Sequence, residues 1–324
     1  MDVRLVDRDG IRVQADGAAL ITPVGGFVWV DILEWTEEAE AYLRERGCHE
    51  LVLEACRTRN HVPTVHAYAD HVFITAQSPL LGKAGHVHLL ELDQIIGHHF
   101  LVTVHGPINP VLDISVALVE TTGVLARLES GRFHPKTPAE LSYAVTSAVA
   151  RRQRAAISEV SMKLPGLEKE VMSSKLTDPE VLLETMFLFR HELITTRTMA
   201  AQSHDVWMRL AGINRMADDP DGAYARDVAD QFDRVRSLAD GESQFLFGII
   251  ELYQTKVHTK MTVAMERLAV IAAVTLPVTA LASIYGMNVI VNDSTHWSQL
   301  IVILIVMLTI SSALLVWARR QGWW

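Results

Sequence analysis

Residues 268–291 read LAVIAAVTLPVTALASIYGMNVIV, twenty-four positions without one charged side chain. A helix that crosses the hydrocarbon core of a bilayer needs about 20 predominantly apolar residues, and this run supplies them. Pro277 stands in its middle, where a membrane helix tolerates proline because neighbouring helices satisfy the freed carbonyl. A second uncharged run, LIVILIVMLTISSALLVWA at 300–318, follows closely. Two adjacent runs of this length argue against a buried hairpin in a soluble core and for a pair of transmembrane helices. Arg267 precedes the first run, Arg319 and Arg320 follow the second, and the linking Asn292-Asp293-Ser294-Thr295-His296-Trp297 has no Lys or Arg. The positive-inside rule then puts both ends in the cytoplasm and the short loop outside, a multi-pass protein of the cell membrane. Trp297, Trp317, Trp323 and Trp324 lie near span ends, where indole rings favour the interface.

Outward from the spans, charge is concentrated in the first 267 of the 324 residues, which suggests a soluble body carried on a membrane segment. A net charge of −9 disfavours nucleic acid as a partner, since a polyanion requires a basic face. Cys48 and Cys56 form no CxxC motif and suit a reducing compartment. The start, Met1-Asp2-Val3-Arg4-Leu5, lacks the apolar core of a signal peptide, so the body is expected to stay in the cytoplasm. There is no GxxxxGK[ST] loop, no HExxH and no nucleotide fingerprint, so the residues suggest no enzyme.

The expected fold is an α+β cytoplasmic domain, a mixed sheet flanked by helices, followed by long helices and two transmembrane helices. Strand-like runs fall at 27–30, 64–68, 71–75, 86–92 and 100–104, and helical patterns at 37–46, 49–57 and 114–128. From about Ala139 the chain reads as nearly all helical, with Pro165-Gly166 and the 218–222 turn as its interruptions. The expected divisions are 1–135 for the α/β domain, 136–266 for long cytoplasmic helices including a stalk, 267–291 and 299–318 for the spans, 292–298 for the external loop and 319–324 for a basic tail. The helix beginning near Asp221 has no evident stop before the first span and could extend about 90 Å. Such a helix needs partners along its length, and with only two spans per chain they would come from other subunits.

At the outer end of the first span stand Tyr285, Gly286, Met287 and Asn288, with Pro277 and Thr279 upstream in a P-x-T-x₆-GMN arrangement. The chain resembles the CorA family of magnesium transporters, whose first C-terminal helix ends in GMN. The resemblance covers the order of parts along the whole chain, while its specific residues lie in roughly 255–324. It implies a homopentameric, funnel-shaped channel whose first span lines the pore and whose Gly286, Met287 and Asn288 form the selectivity filter. Magnesium dehydrates reluctantly, and a ring of amide oxygens can accept hydrogen bonds from its water shell without stripping it.

A seven-residue recurrence through Glu251, His258, Met265, Ala272, Thr279 and Gly286, interleaved with Thr262, Leu268 or Ala269, Leu276 and Ser283, supports one pore-facing stripe. Within the resemblance, Met265, Leu268 and Leu276 match a hydrophobic constriction and Glu251 an acidic ring. Asp227 is, within the resemblance, the candidate ligand for a regulatory magnesium between cytoplasmic domains; its partner on a neighbouring subunit is left open, with Asp93 as one candidate. Three departures bear on ion preference. The loop lacks the Met-Pro-Glu that often follows GMN, Ser283 replaces a common Gly, and Thr262 and Glu266 stand where Asn and Lys are usual. Magnesium is the expected ion, transported passively and also regulatory. Co2+, Ni2+ or Zn2+ carried in the manner of ZntB is the first alternative and a non-conducting metal sensor the second. His49, His61, His66, His71, His86, His88, His98 and His99 invite a zinc site, but such a site needs three or four donors converging on one point, and packing or surface roles are the expectation.

Overall fold

The computed structural model describes residues 1–7, 10–13, 25–58, 62–82, 86–105, 112–173, 178–213, 220–286, 290–291, 294–295 and 297–322. The chain divides into two compact units, Met1–Gly248 and Ile249–Trp324.

The first unit is built on a seven-stranded sheet: β1 (Asp2–Asp7), β2 (Gly10–Val13), β3 (Phe27–Ile32), β4 (Val65–Ala67), β5 (His71–Leu81), β6 (Val87–Gly97) and β7 (Phe100–His105), in the order β2-β1-β3-β7-β6-β5-β4. Every pairing is antiparallel except β3 with β7, which makes the sheet mixed as expected. The Phe27–Ile32 run is buried at every position, as a strand covered on both faces must be. On one face lie α1 (Glu37–Glu45) and α2 (Glu50–Arg57), which pack Leu43, Val52 and Leu53 against Val28, Val30, Phe73 and Ile95. The other face, through Trp29, Ile74 and Leu92, meets α3 (Val119–Glu129), α4 (Pro138–Met172), α5 (Pro179–Ala211) and the first turns of α6 (Pro220–Gly286). Gln94 binds α4 to the sheet by donating to Thr146 at 2.9 Å and accepting from Ser142 at 2.7 Å. The expected division at 135/136 therefore runs through one shared core rather than between two cores.

Local chemistry fixes where the helices begin. Thr137 accepts from the Glu140 amide and Pro138 opens α4; Asp178 accepts from the Glu180 amide and Pro179 opens α5. The expected interruption at Pro165-Gly166 is absent, because α4 runs through both. Pro165 and Gly166 lie on the exposed face, where water can satisfy the Ser161 carbonyl that proline leaves without a donor, while Leu164, Leu167 and Val171 hold the buried face. The 218–222 turn lies partly outside the described residues, and α6 is helical from Pro220.

The second unit contains the remainder of α6, a two-stranded ribbon of β8 (Ile290–Val291) and β9 (Ser294–Thr295), and α7 (Trp297–Arg320). The first span was expected to continue to 291, yet the helix ends at Gly286 and Ile290–Val291 is extended. Glycine is a poor helix residue, and β-branched Ile and Val suit a paired strand. The second helix is longer than the expected 299–318, beginning at Trp297 and ending at Arg320.

Candidate ion-conduction site

α6 is one helix of 67 residues, about 100 Å at 1.5 Å per residue. Within its apolar part, Val270 is buried and Val274, Pro277, Val278 and Leu281 are half-buried. Spaced by three and four, these five share one face. Met265, Leu268, Leu276, Thr279 and Ser283 point on the order of 150° away at 3.6 residues per turn, and all five are exposed, Leu268 and Leu276 at 66% and 67%. The chain covers one face of this helix and leaves the rest of its circumference bare, the candidate stripe together with Ile271, Thr275 and Ala280 beside it. Nearer the cytoplasmic end, Glu251 and Thr262 are exposed as well.

Hydroxyls on the span are engaged along the helix. Thr279 donates to the Thr275 carbonyl and Thr275 to that of Ile271, each at 2.8 Å. Back-bonding of this kind satisfies the hydroxyl proton while leaving the oxygen as an acceptor. Pro277 supplies no amide to the Ala273 carbonyl, which is thereby left without its helical donor. Gly286 is the last residue of α6, and Met287 and Asn288 lie outside the described residues.

The two candidate regulatory acids have different surroundings. Asp227, on α6 in the first unit, is exposed, and its Oδ2 accepts from the Tyr143 hydroxyl at 2.9 Å and from Gln231 at 2.7 Å. Asp93 lies on β6 at 1% exposure and accepts from Thr75 at 2.7 Å. A carboxylate so enclosed does not present itself to a neighbouring copy, so the expected pairing of Asp93 with Asp227 across subunits has no geometric support. Alternation along the strand explains the enclosure: Asp93 shares its face with Ile95, which packs under α1 and α2.

Among the described residues, no three His, Cys, Asp or Glu side chains converge on a metal position. His49 and His71 instead stack on opposite sides of the sequence against Tyr68, with ring centroids 4.8 and 4.9 Å from it. His61 lies outside the described residues. Both cysteines are buried; burial pushes the Cys48 thiol up to about 11 and the Cys56 thiol well above its ordinary value. Neither offers a thiolate near neutral pH.

A family model described as CorA-like Mg2+ transporter protein matches residues 24–320. The cobalt/magnesium transport protein CorA of Thermotoga maritima is 23% identical over 281 residues, covering 86% of this chain and 77% of that protein. Among solved structures, the complete CorA magnesium transporter of Methanocaldococcus jannaschii superposes with a TM-score of 0.79 at 17% identity, covering 100% of this chain and 99% of that one. The cytoplasmic domain of ZntB from Vibrio parahaemolyticus superposes at 0.62 with 9% identity, covering 80% of this chain and 98% of that one. At these identities the superpositions speak for the fold.

Proposed function

The chain belongs to the CorA-like Mg2+ transporter family, and from that membership we propose a passive Mg2+ channel assembled as a homopentamer, with α6 of each subunit lining one central pore. The divalent-cation transporter class follows from the family; the ion, the pentamer and the residue roles are the proposal. The observation that carries it is the bare stripe on α6. The span carries Thr279 and Ser283 among large apolar residues on the side opposite the one its own chain covers, a mixture that contact with lipid alone does not require.

Four further copies would close that face into a wall. Asn288 then stands at the outer mouth, where amide oxygens hold a hydrated ion by its waters. Ser283 and Thr279 offer hydroxyl oxygens below it, and Leu276, Leu268 and Met265 form constrictions that stop ions by dewetting. Glu251 gathers cations at the cytoplasmic exit. Entry is driven by the membrane potential, about 4.6 kcal/mol per 100 mV for a divalent ion. Asp227 is the proposed regulatory ligand: Mg2+ held there between subunits keeps the pore closed, and its loss lets them separate. Both termini are cytoplasmic in this reading.

A second reading, Co2+, Ni2+ or Zn2+ as the principal ion, is favoured by the altered positions Thr262, Glu266 and Ser283 and by the missing loop acid, Asp293 being the only one.

Cysteine substitution tests the stripe directly, because the native thiols are buried and unreactive. Thr279→Cys, Ser283→Cys and Val274→Cys are each reconstituted and treated with a charged, water-soluble thiol reagent. Loss of divalent influx in the first two and none in the third is expected. Equal block of all three, or block of Val274→Cys alone, would contradict the assignment of the face.

A further inference from the structure

Four arginines brought together from three helices have no acidic partner among the described residues. Arg127 on α3, Arg151 and Arg154 on α4 and Arg234 on α6 line one pocket of about 540 Å³ in the first unit. Tyr143 and Gln231 complete its polar edge. Helical spacing accounts for the convergence: 143, 147, 151 and 154 fall on one face of α4, and 227, 231, 234 and 238 on one face of α6. Arg127 is held by Phe133, its guanidinium carbon 4.9 Å from the ring centroid, and the other three are exposed.

Neighbouring arginines on the same helices show what is unusual here. Arg152 on α4 pairs with Glu120 and Arg236 on α6 with Asp233, while Arg197 on the adjacent α5 pairs with Asp240 of α6. None of the four pocket arginines makes an ion pair among the described residues. The nearby Asp227 accepts hydrogen bonds from the lining residues Tyr143 and Gln231 and pairs with none of the four. In a chain of net charge −9, four unneutralised guanidinium groups around one cavity are a concentrated positive field.

We propose that this pocket binds a multiply charged phosphate anion of the nucleoside polyphosphate class. Guanidinium forks match phosphate oxygens two at a time, and four of them can neutralise a triphosphate. The volume lies within the range of small-molecule sites, and the apolar lining of Phe133, Val235 and Leu238 could accept a base or sugar face. A lipid headgroup is the wrong source: Arg234 precedes Arg267 by 33 residues of α6, about 50 Å of helix.

The site is independent of which ion the pore carries, so its test stands apart from the flux assays. Full-length protein in detergent is titrated calorimetrically with ATP and, separately, with inorganic triphosphate, without magnesium. Saturable binding below about 1 mM is expected, weakening as salt is raised. Arg154→Gln/Arg234→Gln should raise the dissociation constant at least about tenfold, a change of 1.4 kcal/mol or more. Arg151→Gln alone should raise it less, which guards against a double variant that fails to fold. Tighter binding of ATP than of triphosphate assigns the apolar lining to the nucleoside; equal binding keeps phosphate recognition alone. No saturable binding of either anion overturns the proposal, as does equal binding by wild type and variants. A double variant that only dissociates into smaller oligomers also overturns it, since the arginines would then serve acids of a second copy.

Discussion

Glu192 on α5 is 5% exposed, and its Oε1 has no hydrogen-bond partner among the described residues. Burial pushes its carboxyl up to about 7 from an ordinary 4.5, with Glu159 adding to the shift and Lys163 opposing it. A carboxyl raised on folding takes up its proton in the native state first. Stability from this group is therefore fully present below about 4.5 and is lost as pH rises through about 7. Glu192→Gln keeps the shape and removes the titration. The variant should melt higher than the parent at pH 8, with the difference shrinking by pH 5, as read by tryptophan fluorescence of the detergent-solubilised chain. An unchanged pH profile would show that Glu192 does not carry the effect. The two candidate acids separate by the same kind of argument. Asp93→Ala strands the Thr75 hydroxyl in the core and should cost about 1–3 kcal/mol of stability. Asp227→Ala, on the surface, should leave melting nearly unchanged and raise the magnesium concentration that closes the channel. The GMN tripeptide could be read from sequence because three adjacent residues form it. Asp93 misled because a strand residue's face depends on which partners pair beside it, and the unpaired arginines of α3, α4 and α6 are too far apart in sequence to form any local signal.

Among the elements, the apolar runs were legible because a span depends on the absence of charge, a property visible without knowing any partner. The strands at 27–32, 71–81, 87–97 and 100–105 were likewise marked by β-branched and apolar runs. β1 and β2 went unrecognised, since Arg4, Asp7 and Arg12 dilute their alternation, and order comes only from pairing: β1 with β3, and β2 with β1. Pro165 gave the opposite error: a strong local breaker was overridden by a helix whose buried face is held at Leu164, Leu167 and Val171. That reading makes a prediction. Proline costs roughly 3 kcal/mol relative to alanine in a helix interior, so Pro165→Ala should raise the melting temperature without altering transport. A fall in melting temperature would mean that the proline fits α4 better than its exposed position indicates.

At the scale of the whole molecule, one continuous helix belongs to both units, entering the core of the first at Ala225, Val228 and Phe232 and forming the span of the second. Its length was legible because nothing between Gly222 and Gly286 stops it beyond isolated glycines and Pro277. What surrounds it was not, since the stripe's partners are other copies of the same chain in the proposed assembly.

The central claim is best tested by magnesium influx into liposomes containing the purified protein, read by an enclosed dye, with Asn288→Ala alongside. The account predicts influx that grows with an inside-negative potential, needs no nucleotide as energy source, and is lost or made unselective in the variant. Zinc or cobalt entry without magnesium entry would contradict the proposed ion, and no divalent entry at all would contradict the pore.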